Sequence, residues 1–290
     1  MAVLEIDGDT ALVSPVRKQQ RRVGVLFVCA VAWIAVIGLA AIFADLLPIA
    51  SPTDMDLLAR RAAPGGNHLL GADHLGRDEL SRLIHGGRVS LTVGLLAPVI
   101  GVLIGGSLGM MAGYFRGRLE TFAVGGVDVL LAFPPLVFAL AVTAYLGQSV
   151  LNITLVIGVL SIPAFTRVSR AVTLSLSERE FVTAARALGA THARILIREL
   201  LPNVALPLLA FFLLGVAVTI VVEGALSFLG LGVPPPTASW GSMIGEGRES
   251  LDIAPWLAFL PAGFMFATVL SFNIVGDTLR ALTDPRPGTL

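Results

Sequence analysis

Six stretches of this chain are too long and too apolar to fold as surface elements in water. They are Val23–Ala44, Val89–Met111, Phe122–Leu146, Val150–Thr166, Val204–Leu231 and Pro255–Leu279. A helix of about 20 apolar residues crosses a hydrocarbon core of roughly 30 Å. Inside lipid every backbone N–H and C=O must find its partner within the protein, which leaves helices or a closed barrel. The runs are continuous rather than alternating, so they read as helices. The expectation is an all-α, polytopic membrane protein with six transmembrane helices. Composition agrees: 55% of the residues are hydrophobic and 14% charged, against about 25% charged in soluble domains. The formal net charge is zero, so nothing draws the whole chain toward nucleic acid.

Several chemistries are excluded by residue supply. Cys29 is the only cysteine and sits in an apolar run, so neither a disulfide framework nor a CxxC site can form. Lys18 is the only lysine and follows Arg17. A P-loop needs a lysine after glycine, so the chain holds no such ATP site. The histidines, His68, His74, His85 and His192, lack HExxH or Cx2C company. No metal site is expected, although Asp73, Asp78 and Glu79 lie near three of them. No nucleophile has a recognisable base partner, so no catalytic residues are expected.

The runs divide the chain. Residues 1–22 form a polar tail ending in Arg17, Lys18, Arg21 and Arg22. Residues 23–47 are the first span; a signal-peptide core, at about 7–15 residues, would be shorter. Residues 48–88 are an outer segment with turn signals, in which GRDELSRLIHGGR carries Leu80, Leu83 and Ile84 at helical spacing and reads as a short interfacial helix. Residues 89–280 are a five-helix core, and 281–290 a tail. Six spans place both termini on one side. That side holds 14 of the 20 Lys and Arg residues, so the termini are expected in the cytoplasm. No paired, similarly broken spans mark an inverted-repeat carrier.

Within the spans, Gly101, Gly105, Gly109 and Gly113 recur every fourth residue. Such a ladder lets another backbone approach closely. Asp128 and Glu223 are carboxylates inside apolar runs. Each either ties helices together or lines a substrate route. The loop after the fifth run contains prolines, a candidate external helix between Ser239 and Ser250, and Trp240, a residue type suited to a membrane interface.

Between the fourth and fifth runs lies SEREFVTAARALGATHARILIRELLPN, residues 177–203. Ser177 and Glu180 have capping-box spacing. Phe181, Ala184, Ala185 and Leu188 form one apolar stripe. Gly189 is placed to end the helix in a left-handed turn. Thr191 can cap a second short helix, and Pro202 disfavours its continuation. The stripe must be covered by lipid, by the bundle or by a groove in another protein. Residue patterns alone leave all three open.

TAARALG followed by LLP, Thr183–Pro202, resembles the cytoplasmic EAA loop of ABC importer permeases, E-A-A-x3-G-x9-I-x-L-P. Ala184, Ala185, Gly189, Leu201 and Pro202 match; Thr183 and Glu199 depart. His68–Leu91, Glu223–Arg248 and Asn273–Arg286 are similar to blocks of the dipeptide and oligopeptide importer permeases. That resemblance implies a type I ABC importer permease fold in a bacterial inner membrane. The chain would be half of a peptide pathway worked by ATP-driven alternating access. Its implied partners are a second homologous permease, two cytoplasmic ATPases carrying ATP and Mg, an extracytoplasmic binding protein and membrane lipid. Coupling to the ATPases would fall on Glu180, Phe181, Thr183, Ala184, Ala185, Arg186, Leu188 and Gly189, with Asp128 and Glu223 on the pathway. Nickel is the alternative cargo. An ion-coupled carrier using Asp128 and Glu223, or an intramembrane enzyme, is the alternative class.

Overall fold

The computed structural model describes residues 24–283. The tail 1–22 with its basic cluster, and most of the tail 281–290 including Arg286, lie outside them. The described residues form helices and connecting loops, with no strand among them. Helix α1 is Val25–Ile42. Helix α2, Glu79–Ile100, continues through a π-helical turn at Gly101–Gly106 into α3, Ser107–Phe115. Helices α4, Gly117–Leu131, and α5, Pro135–Leu146, follow, then α6, Val150–Ser177. A short arm, α7, spans Glu180–Ala187. The turn α8, His192–Arg194, passes through a second π-helical stretch, Ile195–Leu200, into α9, Leu201–Phe228. Helices α10, Trp240–Gly247, and α11, Trp256–Thr283, complete the chain.

Five of these units are long and apolar enough to cross a membrane, and the bent pair α4–α5 makes a sixth. That pair is bent by 78°. The break falls at Phe133-Pro134-Pro135. Proline fixes its own φ and pushes the preceding residue out of helical geometry, so two in succession end α4 and restart as α5.

The glycine ladder sets the central contact. A Cβ on Gly105 would lie 2.4 Å from the carbonyl of Ile162, and one on Gly109 2.3 Å from that of Thr166. On Gly113 it would lie 2.7 Å from the carbonyl of Arg170. The ladder therefore meshes backbone to backbone with α6, rung by rung, as its spacing predicts. Ser169 Oγ closes the contact by donating to the Gly106 carbonyl at 2.6 Å. Helix α1 is peripheral: it touches α11 through Trp33, whose Nε1 donates to Thr268 Oγ1 at 3.0 Å, and leaves most of its apolar surface outward.

Four expectations are corrected. GRDELSRLIHGGR is no separate interfacial helix; it contains the first turns of α2, with Arg82 and Leu83 buried. Trp240 does not sit at an interface. It is fully buried, donates from Nε1 to the Leu83 carbonyl at 3.0 Å, and packs where Gly87 has no side chain. Ser177 does not cap α7. It is the last residue of α6, its hydroxyl donates to Leu174, and Arg179 takes the N-cap position. Pro202 does not stop the helix after Thr191. It lies inside a continuous helix from His192 to Phe228, directly after the π-helical stretch Ile195–Leu200, a local change of hydrogen-bond register that accommodates its missing N–H.

Candidate coupling arm and translocation face

The arm α7 is held to the bundle by one face. Val182 is 0% exposed and packs with Tyr114, Ile195 and Leu200, while Ala185 and Leu176 cover the edges. Val182 was not among the residues singled out from sequence; its i,i+3 spacing to the half-buried Ala185 is the signal that finds it. The predicted stripe lies mostly on the other side. Phe181, Ala184 and Leu188 are exposed, and Leu188 is 88% so. Thr183, Arg186 and Glu180 are exposed as well, with Arg186 stacked 5.2 Å over the Tyr114 ring.

The arm ends as its sequence predicts. Gly189 adopts φ 77, and a Cβ there would meet nothing within 4 Å. The glycine is needed for its backbone conformation and not for room. Thr191 Oγ1 then accepts from the Arg194 N–H at 3.3 Å, the expected cap. Polar links fasten the loop to the end of α3: Tyr114 Oη lies 2.8 Å from His192 Nδ1, and Arg116 pairs with Glu178 at 2.7 Å. The arm is thus fixed at its base, presenting an apolar outer face that the other described residues leave uncovered.

The two intramembrane carboxylates have different fates. Glu223 is fully buried. Its Oε2 accepts from Ser90 Oγ at 2.9 Å and its Oε1 from Ser227 Oγ at 2.7 Å. Ser90 Oγ also accepts the Trp240 N–H at 3.2 Å. Glu223 therefore knots α2, α9 and α10 together inside the chain. Asp128 instead lies on an open face of α4, paired with Arg167 of α6 at 2.8 Å, the two side chains 53% and 59% exposed. Glu120 and Arg170 form a second, half-buried pair between the same helices. Arg167 precedes the end of α6 at Ser177 by ten residues, about 15 Å of helix. The open pair thus lies well inside the bundle's length.

At the opposite end, a cluster missed in the sequence locks the outer loop down. Asp73 Oδ2 meets Arg77 Nε at 2.6 Å and Arg82 Nε at 3.3 Å. Glu246 Oε2 of α10 meets Arg77 at 3.1 Å and Arg82 at 2.8 Å. Burial works against ionising Asp73, but the N–H groups of Arg77 and Leu75 and the charges of Arg82 and Arg77 outweigh it, holding its carboxyl below the usual range. Asp73, His74 and Glu246 converge closely enough to suggest a metal. Two buried guanidiniums already neutralise those carboxylates, so the donor set does not fit a cation. The sequence showed only mixed charges, because Glu246 is 173 positions beyond Asp73.

An all-helical bundle of up to six spans, with a short arm at one end that the other described residues leave open, defines a polytopic membrane protein. The chain belongs to the family described as binding-protein-dependent transport system inner membrane component, whose model matches residues 105–288. It is similar to a glutathione transport system permease protein GsiD of Pectobacterium atrosepticum, 37% identical over 99% of this chain and 96% of that one. A GsiD of Escherichia coli O1:K1 is 40% identical over 77% of this chain and 74% of its own length. In fold it resembles the inward-facing MetNI methionine ABC transporter, with TM-score 0.58 and 16% identity, covering 71% of this chain and 98% of that one. This is the permease subunit of an ABC importer, a multi-pass inner-membrane component whose ATP hydrolysis resides on separate subunits.

Proposed function

We propose that the chain forms half of a peptide pathway, with a second homologous permease as the other half. Both termini and α7 face the cytoplasm, where α7 seats in a groove on an ATPase carrying ATP and Mg. One observation carries this reading: an apolar stripe on a capped arm, anchored by Val182 and left open along Phe181, Ala184 and Leu188. An exposed apolar helix face of this kind fits helix-in-groove recognition. Closure of the ATPases would move the arm as a unit, because the packing of Val182 and the Gly189 turn leave it little independent freedom. The excess of Lys and Arg on the arm's side supports the orientation. The peptide cargo rests on likeness to permeases named for glutathione, itself a peptide-like molecule.

Asp128 and Arg167 are proposed to line the pathway. A charged pair this exposed is costly against lipid, so it belongs on a face covered by water or by the second permease. Alternating access would then expose it to each side in turn. The test is reconstitution of this chain with its partner subunits in liposomes. Peptide uptake must require ATP and stop when the ATPase's Walker lysine is replaced. Uptake driven by a pH gradient without ATP would overturn the reading.

A further inference from the structure

At the end of the bundle away from the arm, a cavity of about 310 Å³ opens beside the ends of α9 and α10. Arg60 and Arg61 of the outer loop line it, as do Glu246 and Glu249. Each arginine is fastened through Nε. Arg60 Nε donates to the His74 carbonyl at 2.9 Å, and Arg61 Nε to Ser250 Oγ at 3.0 Å. No carboxylate among the described residues pairs with either guanidinium. This contrasts with Arg77 and Arg82, which are spent on Asp73 and Glu246.

The backbone around them is unusual. Arg61 is held at φ 55, a left-handed conformation rare for a residue with a side chain. Its N–H donates to the Asp73 carbonyl at 2.9 Å, which ties this backbone to the loop that carries the ion cluster. Strain of this kind concentrates where a side chain must be aimed. The result is two exposed arginines, consecutive in the chain, that line one cavity with no carboxylate among the described residues paired to either. A guanidinium fork matches a carboxylate or phosphate in geometry. Glu249, also without an ion-pair partner among the described residues, adds a negative charge that opposes a purely anionic ligand and suits one bearing an ammonium as well.

We infer that this cavity receives the incoming peptide as a zwitterion, Arg60 and Arg61 holding its carboxylate and Glu249 attracting its ammonium. The inference rests on the peptide reading and on the orientation proposed above. It assigns a recognition step to the permease itself, before the substrate reaches Asp128 and Arg167.

The test uses the assembled importer in phosphatidylcholine nanodiscs, without binding protein, and two probes: radiolabelled trialanine and its C-terminal amide. Trialanine is expected to bind about tenfold or more tighter than the amide, as a charge-assisted contact predicts. The double variant Arg60→Gln, Arg61→Gln should bind both as the wild type binds the amide. Arg61→Lys, which keeps charge but loses the fork, should fall between. Basal ATP hydrolysis reports that each variant is assembled. Equal binding of acid and amide to the wild type, including none of either, overturns the inference. So does discrimination that survives in the double variant. Loss of discrimination in discs containing phosphatidylglycerol would overturn it by giving the arginines to lipid headgroups, and, in a parallel ATPase assay with binding protein added, selective loss of its stimulation in the double variant would overturn it by giving them to a docking surface. Failure here leaves ATP-dependent uptake untouched, so it is separable from failure of the importer reading.

Discussion

Gly189 shows how far one residue can be argued. Its φ of 77 and its open surroundings separate conformation from space. A β-branched residue is strained there whatever the room, whereas asparagine visits this region readily. Gly189→Val is therefore expected to leave the chain in the membrane but to lower substrate-stimulated ATP hydrolysis severalfold in the reconstituted complex. Gly189→Asn should keep most of it; equal losses would point to something other than the turn. Asp73 makes a prediction in pH. Its carboxyl is held below the ordinary value near 3.8, so its contribution is complete above that value and is lost only as pH falls through the lower folded one. Thermal unfolding of the detergent-solubilised protein should weaken below about pH 4, and Asp73→Asn should flatten that limb while lowering stability at neutral pH. Gly189 was legible in sequence because a glycine after an amphipathic stretch has a local meaning. Trp240 was not, because its burial depends on Gly87 and Leu83, distant in the chain.

Among the elements, the arm and the ladder teach opposite lessons. Period four in the glycines survived as a continuous helix seam because it depends only on helix geometry. The arm's stripe was also legible, but its anchoring face was not: Val182 is covered by Ile195 and Leu200, the two ends of the π-helical stretch that precedes Pro202. The capping-box pattern at Ser177 failed because α6 extends to that residue and spends its hydroxyl on Leu174. Leu188 is a clean probe of the arm's outer face. At 88% exposure it contributes little to the fold, so Leu188→Glu should leave expression and melting unchanged. It should abolish copurification of the ATPase subunits. Retained copurification with full activity would remove α7 from the interface.

For the whole molecule, the open pair of Asp128 and Arg167 is the feature to test. An exposed ion pair contributes about 0–1 kcal/mol to stability, so Asp128→Asn should not alter assembly or melting. If the pair lines the route, ATP-driven peptide uptake should fall about tenfold, because a charge-assisted contact is worth more to substrate than to the fold. Uptake equal to wild type would give the pair a merely structural place. Glu223 carries the opposite expectation: buried between Ser90 and Ser227, its replacement by leucine should impair assembly before it affects transport.

From residue order alone came the number of spans, the ladder and the turn at Gly189. Each follows from run length, helical period or the backbone limits of glycine, all of them local. Tertiary structure decided which of two similar carboxylates is enclosed and which is open, that Trp240 is core, and that among the described residues Arg60 and Arg61 pair with no acid while Arg77 and Arg82 do. Those outcomes depend on groups far apart in the chain meeting at hydrogen-bond distance, and no periodicity encodes that.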